Sequence, residues 1–458
     1  MNRKKRAAFL TLGCKVNQYE TDAMEEILEK NGYEIVGFRE EADVYIINTC
    51  SVTNMADRKS RQMIRRAKKI NPDAVIAAAG CYVQAAEEKM EENHIADILI
   101  GNNKKKDIAR ILEDYFSKRK ESGEDIKANE MDSTCSEVID IGKTKEYENL
   151  TIHKVNEHTR AYIKIQDGCN QFCSYCIIPY TRGRARSRAE EEVIREVSVL
   201  AAQGYKEIVL TGIHLSSYGN DLENTTLLGL IKRIQETDGI ERIRLGSLEP
   251  RIITEEFVRE LRSCEKVCPH FHLSLQSGCD ETLKRMNRKY TTREYENALQ
   301  ILRKYYEHPA LTTDVIVGFV GETEEEFEQT KDFLEKINLY EMHIFKYSVR
   351  EGTRAQKMTG HLPEPVKTKR SEELIAMANR HKKNFAMWYI GRKEKVLLEE
   401  IVEINGEKYF QGYTKDYVKV AINIRTEDVE LRQNEVVVVK IHGYLDENIL
   451  YGKVSIEF

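Results

Sequence analysis

Three cysteines lie close together near the middle of the chain, at Cys169, Cys173 and Cys176. Thiolates separated by three and then two residues can bind three irons of an iron–sulfur cube from one short loop. No fourth cysteine lies nearby, so one iron would stay open to a ligand that the protein does not supply. The segment therefore predicts an iron–sulfur cluster with a vacant coordination position.

Three further cysteines, Cys14, Cys50 and Cys81, share a position relative to the predicted secondary structure. Each follows a predicted buried strand by two residues, and these strands are Ala7–Leu12, Val44–Asn48 and Val75–Ala79. The carboxyl ends of parallel strands meet at one edge of a sheet, so the three thiols are expected to converge there. The sequence predicts a second cluster site, although three buried structural cysteines remain the alternative.

The elements around these first cysteines alternate between strand and helix. Helices are predicted at Tyr19–Asn31, Thr53–Ile70 and Val83–Asn93, and a further strand at Ile98–Gly101. This alternation is typical of a parallel sheet covered by helices. We therefore predict an N-terminal parallel α/β domain over residues 1–119, followed by a loosely packed linker at 120–154.

Residues 155–385 repeat the alternation with a longer period. Six strand–helix units predict a partial, open TIM-type barrel rather than a closed one of eight strands. The Cys169 loop follows the first strand. The predicted strands are Ala161–Gln166, Glu207–Thr211, Ile243–Gly246, Phe271–Leu275, Thr313–Val317 and Glu341–Tyr347.

Small and polar residues stand at the ends of the other barrel strands. Because site residues of parallel barrels lie at these ends, we expect them beside the Cys169 loop. They are Thr211, Gly212, Ser247, Glu249 and Gln276.

The C-terminal residues 388–458 have a different sequence pattern, in which short strand-like segments alternate with residues typical of turns. Five strands in about 70 residues predict a small β-barrel. The aromatic residues Tyr409, Phe410, Tyr413 and Tyr417 either stack on bases of a nucleic acid or belong to the barrel core. The sequence leaves these two interpretations open.

Composition limits the class of protein. The chain of 458 residues is 41% hydrophobic and 32% charged, with a formal net charge of −5, which describes a packed protein without a bulk signal for nucleic acid. No apolar run approaches the roughly 18 residues of a membrane helix, and the run Ala7–Leu12 is too short for a signal peptide. We expect no membrane association and a cytoplasmic protein whose ten cysteines serve metal binding or catalysis.

Two basic segments are candidates for contact with RNA phosphates or with a carboxylate. Arginines alternate at Arg182, Arg184, Arg186 and Arg188, and the second predicted helix contains Arg65 and Arg66 among other cations. A salt-bridged loop and a solvated helix face are the alternatives. We predict RNA binding by these residues: Arg182, Arg184, Arg186, Arg65 and Arg66.

The remaining chemistry-bearing residues give weaker signals. Cys264, Cys268 and Cys279 lack a spacing typical of clusters, and Cys135 lies alone in the predicted linker. His270 and His272 alternate along a strand and are predicted to line or fill the barrel rather than to bind metal. None of these residues is predicted to be a ligand.

The segment 167–183 resembles the signature of the radical S-adenosylmethionine (SAM) superfamily, in its methylthiotransferase branch. The resemblance includes Cys169, Cys173 and Cys176 with Tyr175 before the last cysteine, and Arg182-Gly183 beyond. That family has an N-terminal three-cysteine domain, a radical SAM barrel and a C-terminal TRAM domain, and the match covers nearly the whole chain.

The resemblance implies two [4Fe-4S] clusters, an auxiliary one on Cys14, Cys50 and Cys81 and a SAM-cleaving one on the other triad. It implies two SAM molecules per turnover, one as methyl donor and one as radical source, seated by the strand-end residues named above. A flavodoxin- or ferredoxin-type electron donor and a sulfur donor are the implied partners. A cofactor of this kind supplies the C–H activation that side-chain acids and bases cannot.

The segment 11–20, with Cys14-Lys15-Val16-Asn17, resembles the branch that acts on N6-threonylcarbamoyladenosine (t6A) beside the tRNA anticodon. The isopentenyladenosine branch shows Cys-Gln-Met-Asn there, and the ribosomal-protein branch Cys-Pro-Lys-Asn. Segment 283–291 also resembles the t6A branch, whereas Val320 replaces a usual proline.

The resemblance therefore implies methylthio transfer to C2 of t6A at tRNA position 37. Methylthiolation of isopentenyladenosine in tRNA or of a ribosomal protein is the alternative. An iron–sulfur electron carrier or redox sensor that binds RNA is a further alternative from a different class.

Overall fold

The computed structural model describes residues 3–121, 134–154, 159–425 and 430–455. Within them the chain forms a parallel α/β sheet domain, an open barrel and a closed β-barrel, as the sequence predicts. Part of the predicted linker and the end of the last predicted C-terminal strand, at Ile456, lie outside the described residues. None of the described helices is long and apolar enough to cross a membrane.

The N-terminal sheet has six parallel strands in the order β2-β1-β3-β4-β5-β6. Its strands are β1 (Arg6–Thr11), β2 (Glu34–Val36), β3 (Val44–Thr49), β4 (Val75–Gly80), β5 (Ile98–Ile100) and β6 (Cys135–Glu137). Its helices are α1 (Lys15–Lys30), α2 (Asn54–Ile70), α3 (Cys81–Glu92) and α4 (Ile108–Glu121). Every residue of β3 and β4 is buried, as expected for strands covered by helices on both faces.

Two strands of this sheet, β2 and β6, were not expected from the sequence. Strand β6 falls inside the segment predicted as a loose linker, and it pairs with β5 from Cys135 opposite Ile98. Beyond it, Leu150 and Ile152 are buried in the barrel core. Residues 134–154 are therefore an ordered connection between the two domains.

The barrel contains the six predicted strands and a short unpredicted one, β8, which pairs antiparallel with β7. They form two sheets in the orders β10-β9-β7-β8 and β11-β12-β13. A parallel bridge from Leu248 to Leu273 joins the sheets next to β10 and β11, and the barrel stays open beyond β13. The strands are β7 (Arg160–Asp167), β8 (Arg186–Ser187), β9 (Glu207–Gly212), β10 (Arg242–Leu245), β11 (His270–His272), β12 (Ala310–Val317) and β13 (Glu341–Lys346). The helices are α5 (Ile178–Thr181), α6 (Glu190–Ala202), α7 (Leu227–Gln235), α8 (Glu255–Arg262), α9 (Asp280–Arg285), α10 (Thr292–Tyr305) and α11 (Glu324–Ile337).

Side chains alternate across each barrel strand. Ile163 and Ile165 pack in one core with Val193 and Val197 of α6, so this face of β7 meets the helices. The residues between them, such as Lys164, point to the opposite face. We call this concave side of the barrel the inner face.

Helix α12 (Glu364–Met387) leads into the C-terminal barrel, whose five strands close in the order β14-β15-β16-β18-β17. The strands are β14 (Lys393–Ile404), β15 (Glu407–Tyr413), β16 (Lys419–Asn423), β17 (Val436–Tyr444) and β18 (Leu450–Val454). Arg242 and Arg244 donate hydrogen bonds to the carbonyls of Tyr413 and Lys415, at 2.9 and 3.0 Å, and so join the two barrels.

The aromatic residues of the C-terminal barrel are packed against protein. Tyr409 and Phe410 are buried. Tyr413 and Tyr417 stack on each other with ring centroids 4.6 Å apart, and the Arg160 guanidinium lies 4.8 Å from the Tyr417 ring. Tyr409 and Phe410 therefore belong to the barrel core, which is one of the two interpretations that the sequence left open. Tyr413 and Tyr417 are half-buried beside Arg160 of the other barrel.

Candidate active site

The Cys169 loop leaves the carboxyl end of β7 and turns sharply. Gly168 has a φ of +70°, and a Cβ atom there would lie 1.9 Å from the carbonyl oxygen of Arg184. The amide of Cys169 donates to the Gly183 carbonyl at 3.0 Å, and the amide of Cys176 to the Cys173 carbonyl at 3.0 Å. Glycine is thus required for this close approach, which fixes where the three thiols begin.

A second segment, residues 285–288, holds the loop from the other side. The Ser174 amide donates to the Met286 carbonyl at 2.9 Å, and its hydroxyl to the Arg285 carbonyl at 2.8 Å. The Asn287 side-chain amide donates to the Phe172 carbonyl at 2.9 Å. These contacts show what segment 283–291 does in the structure: it positions the cysteine loop.

Burial keeps the free thiols of this triad protonated, and one arginine lies beside them. Burial, with a smaller contribution from the neighbouring Cys173, raises the pKa of Cys169 to about 11 and that of Cys176 to about 12. Arg288 donates from Nη1 to the Cys173 sulfur at 3.2 Å. Such thiols lose their protons when iron binds, and the guanidinium compensates the negative charge that then accumulates. Three sulfur donors beside one cation fit a cluster.

The N-terminal thiols also converge at one sheet edge. Cys14, Cys50 and Cys81 follow β1, β3 and β4, and each lies close enough to another to influence its pKa. Burial raises the pKa of Cys50 to about 12, with Cys81 adding to the effect. A Cβ atom on Gly13, whose φ is +111°, would lie 2.8 Å from the Cys50 Cβ. This close approach brings the first two loops together, and the three thiols fit a second cluster.

Asn17 ties the loops of this triad to one another and to the barrel. Its amide nitrogen donates to the Leu12 carbonyl at 2.7 Å and to the Thr49 carbonyl at 2.9 Å. Its amide oxygen accepts from Arg182 Nη2 at 2.6 Å. The asparagine of the Cys-Lys-Val-Asn segment therefore fixes the approach of the Cys14 and Cys50 loops.

The two triads lie on either side of a short connection. Helix α5, which begins two residues after Cys176, packs against α3, which begins at Cys81. Asn102 donates from Nδ2 to both the Cys81 sulfur, at 3.6 Å, and the Thr181 carbonyl, at 2.7 Å. One buried amide thus bridges the segments that carry the two triads.

A buried ion network joins the domains beside this connection. Glu20 of α1 pairs with Lys105, with Lys164 at 2.7 Å and with Arg182 at 2.8 Å. Asp167 pairs with Lys164 at 2.7 Å and with Arg182 at 3.1 Å. Burial opposes ionisation of Glu20, but Arg182, Lys105 and Lys164 outweigh it and hold the pKa of Glu20 well below its usual range.

This network corrects part of the predicted RNA-binding set. Arg182 and Arg186 are 0% and 2% exposed, so RNA cannot reach them. The salt-bridged alternative is the one observed, because alternating arginines extend inward toward Glu20 and Asp167. Arg184 is exposed, with its guanidinium 4.5 Å from the Phe172 ring. On α2, the predicted cations Arg65 and Arg66 are exposed as well.

The residues predicted to seat SAM lie at the carboxyl ends of β9, β10 and β11. Thr211 and Gly212 end β9, and Ser247 and Glu249 follow β10. The Glu249 carboxylate accepts from Gln171 Nε2 at 3.4 Å, which places it against the cysteine loop. Gln276 has a φ of +74°, and its backbone N–H donates to the Asp314 carbonyl at 2.8 Å. Their role toward SAM stays a prediction.

His272 was predicted to line or fill the barrel, whereas its neighbours Asp314 and His343, and also His214, were not singled out from the sequence. His272 lies 3.3 Å from Asp314, measured from Nε2 to Oδ2, and its ring stacks on His343. His214 lies 3.5 Å from Glu249. For Asp314 and His343, alternation along β12 and β13 was the available signal, since it assigns both residues to the inner face. His270 is buried, and Cys264, Cys268 and Cys279 are buried in the barrel wall.

Val320, which departs from the usual proline, lies in a small apolar cluster with Met286, Phe319 and Tyr347. Its carbonyl accepts from Arg285 Nε at 3.2 Å. Valine therefore supports the same segment, 285–288, that positions the cysteine loop.

Two family models match the chain. The model of the radical SAM superfamily matches residues 163–334. Residues 6–101 match a family described as uncharacterized protein family UPF0004. Each match contains one complete cysteine triad.

Relatives match almost the whole chain. A Bacillus subtilis protein named threonylcarbamoyladenosine tRNA methylthiotransferase MtaB is 41% identical over 92% of this chain and 91% of its own length. The Aquifex aeolicus protein of that name is 38% identical over 92% of this chain and 99% of its own length. An Acetivibrio thermocellus protein named tRNA-2-methylthio-N(6)-dimethylallyladenosine synthase is 36% identical over 90% of this chain and 84% of its own length.

A solved structure supports the fold. The radical SAM methyltransferase TsrM from Kitasatospora setae, with tryptophan substrate and a SAM analogue bound, has a TM-score of 0.57 and 16% identity over 75% of this chain and 73% of that chain. At this identity the likeness concerns the fold alone. The match to the radical SAM superfamily model implies that the barrel carries a [4Fe-4S] cluster and binds SAM. The chain belongs to the radical SAM methylthiotransferase family of enzymes.

Proposed function

We propose that this enzyme transfers a methylthio group to C2 of N6-threonylcarbamoyladenosine at position 37 of tRNA. The names of the 41% and 38% identical relatives support this substrate, and so does the Cys-Lys-Val-Asn segment at residues 14–17. The observation that carries the proposal is the pairing of two three-cysteine sites across the Asn102 bridge. One site alone would not supply both C–H activation and sulfur.

The two triads would hold two [4Fe-4S] clusters, with Cys169, Cys173 and Cys176 beside SAM and Cys14, Cys50 and Cys81 on the auxiliary cluster. When bound, these groups supply one-electron activation of the C2–H bond, the sulfur and the methyl group, with two SAM consumed per turnover. The chain's residues position them. Asn17 fixes the auxiliary loops, segment 285–288 fixes the barrel loop, and the Glu20 network keeps the domains in register.

The proposed site for SAM is the strand-end set next to the Cys169 loop. Glu249 contacts that loop through Gln171, and His214 and Arg288 together favour its ionised form, lowering its pKa against the effect of burial. An ionised carboxylate there suits the cationic or hydroxyl groups of SAM. Thr211, Gly212, Ser247 and Gln276 complete this set.

The proposed RNA surface consists of Arg184 beside the cysteine loop and the cations of α2, including Arg65 and Arg66. These side chains are exposed and carry charge that phosphates attract. The proposed partners are the tRNA anticodon stem–loop, a flavodoxin- or ferredoxin-type reductant and a sulfur donor. A tRNA substrate also supports a cytoplasmic location.

Nucleoside mass spectrometry of tRNA from a deletion strain tests the proposal. The strain is expected to lose 2-methylthio-t6A and to regain it with the wild-type gene and with Cys135→Ala, a variant outside both triads. Cys173→Ala and Cys50→Ala are expected to fail. Retention of 2-methylthio-t6A in the deletion strain would overturn the proposal.

Purified variants separate the two sites. With SAM and a reductant, Cys173→Ala is expected to form no 5′-deoxyadenosine, whereas Cys50→Ala still cleaves SAM without inserting sulfur. Loss of 2-methylthio-isopentenyladenosine instead of the t6A product would favour the second candidate, which the 36% identical relative's name supports. An RNA-binding electron carrier would form no deoxyadenosine in any variant.

A further inference from the structure

Lys15, the residue after the auxiliary ligand Cys14, has no assigned role. It is the first residue of α1, and its side chain is accessible. Charged groups on the inner face influence it from three strands, namely Arg160 on β7, Glu207 on β9 and Arg244 on β10. Its own charge acts in turn on His270 of β11. Helix α1 packs against β7 and β9, so its first residue lies beside the concave side of the barrel, next to the auxiliary triad.

The Lys15 ammonium lacks a partner there. Across the described ranges, no hydrogen bond or ion pair with another residue reaches its nitrogen atom, so this exposed ammonium group is open to a ligand.

The neighbouring charges are already engaged. Glu207 accepts from Arg244 Nε at 2.7 Å and lies 3.5 Å from Arg242. Arg160 pairs with Glu399 at 2.8 Å and packs on the rings of Tyr413 and Tyr417. Because the acid and the arginines have partners, Lys15 is left as a cation that an incoming anion can satisfy.

The chemistry of the proposed substrate supplies such an anion. The threonylcarbamoyl group ends in the free carboxylate of threonine, whereas the dimethylallyl group named for other relatives is a neutral hydrocarbon. A charge-assisted hydrogen bond to a carboxylate in a partly desolvated site is among the stronger polar contacts. A site built to bind a charged group also discriminates against an analogue that lacks it.

We propose that Lys15 binds the threonine carboxylate of t6A and thereby selects this nucleoside. The inference rests on the proposed function and deepens it. Lys15 acts as a substrate-binding residue at the boundary between the auxiliary triad and the inner face. It would hold the modified base with its C2 toward the triads, through a contact that isopentenyladenosine cannot make.

The test compares two anticodon stem–loop RNAs with the iron-loaded, full-length enzyme under anaerobic conditions. One RNA carries t6A, and the other carries the same nucleoside with its carboxylate converted to a carboxamide. Fluorescence anisotropy is expected to show wild-type enzyme binding the acid roughly tenfold to a hundredfold more tightly than the amide. Lys15→Met and Lys15→Gln should bind both RNAs equally, and Lys15→Arg should keep part of the preference.

Controls separate this contact from loss of the cluster or of SAM binding. Lys369→Met, at an exposed lysine of α12, should behave as wild type. Iron content and the Kd for SAM should be unchanged in the Lys15 variants. Lys15→Gln serves as the variant for comparison if Lys15→Met loads less iron.

Two outcomes overturn the inference. In one, the Lys15→Met or Lys15→Gln variant keeps the wild-type preference for the acid. In the other, these variants lose affinity for SAM instead, which would make the methionine carboxylate the partner of Lys15. Failure of the proposed function looks different, because wild-type enzyme would then form no methylthio product on the t6A RNA at all.

Discussion

Removal of the Glu20 carboxylate is the sharpest structural perturbation that the molecule offers. Glu20 is 1% exposed and pairs with three fully buried cations. Lys105 belongs to the same domain as Glu20, whereas Lys164 and Arg182 belong to the barrel. After the substitution, Lys164 and Arg182 remain paired with Asp167. Lys105 would keep only the Asn102 oxygen, at 2.8 Å. Glu20→Gln therefore leaves a buried cation without an acid.

The expected cost follows from this arrangement. Breaking a buried ion pair by removing one partner costs about 3–5 kcal/mol, and glutamine keeps some of the hydrogen bonds, so we expect about 3 kcal/mol. At about 2–4 °C per kcal/mol, the apparent Tm falls by roughly 6–12 °C. Circular dichroism melts of the full-length protein, at equal iron content, measure this shift.

Two further variants make the test specific. Glu29→Gln, on the same helix, breaks an ion pair with Lys154 whose side chains are 32% and 49% exposed, and it should cost less than about 1 kcal/mol. Adding Lys105→Met to Glu20→Gln removes the unpaired cation and should restore part of the loss. A Glu20→Gln protein as stable as the Glu29→Gln control would refute the reasoning.

The pH dependence provides an independent check. The cations hold the pKa of Glu20 well below its usual range, so its contribution is present above the unfolded value of about 4.3 and is lost as pH falls through the folded-state pKa. The stability difference between wild type and Glu20→Gln should therefore stay constant between about pH 6 and pH 8. It should shrink only in acid. A difference that disappears on going to pH 8 would contradict this.

Three other predictions concern the sites. Gly13→Ala places a Cβ 2.8 Å from that of Cys50 at a φ of +111°, so iron analysis should show loss of roughly half the iron, with SAM cleavage retained. Full iron content would contradict it. Arg288→Leu removes the donor to the Cys173 sulfur, and an EPR-monitored redox titration should give a more negative potential for that cluster than in wild type. An unchanged potential would show that this hydrogen bond is unimportant. Replacing Arg65 and Arg66 by alanine should weaken tRNA binding and reduce the slope of log Kd against log salt by about two, whereas an unchanged slope would remove them from the RNA surface.

The domain order was predictable because the strands that build it are buried on both faces. Val44–Thr49 and Val75–Gly80 contain no exposed residue, so they read as apolar runs between helical segments. The edge strands Glu34–Val36 and Cys135–Glu137 have three residues each and are partly exposed. Nothing in their composition distinguishes them from loops, which is why they were missed.

The cysteine positions were predictable for the same reason, since each triad member follows a recognisable strand. The partners of the charged residues were not predictable. Arg182 meets Glu20 across 162 residues of sequence, and a single sequence contains no sign of such a pairing. The alternating arginines therefore suggested a surface for RNA, although three of them, Arg182, Arg186 and Arg188, are buried.

The contacts of Lys15 and Arg288 could not be predicted from the sequence either. Both lie in segments that resemble the t6A branch, but the resemblance alone does not say what their side chains contact. The structure places Arg288 on the Cys173 sulfur and Lys15 toward the inner face. Such contacts depend on how segments that are distant in sequence meet, which strand and helix periodicity does not report.

The most direct test of the proposed activity is a reaction with purified components. The iron-loaded enzyme, SAM and a reductant are incubated anaerobically with a stem–loop RNA carrying t6A, and in parallel with one carrying isopentenyladenosine. Mass spectrometry of the nucleosides is expected to show 2-methylthio-t6A in the first reaction and unchanged nucleoside in the second. Methylthiolation of the isopentenyladenosine RNA, with the t6A RNA unchanged, would contradict the proposed function.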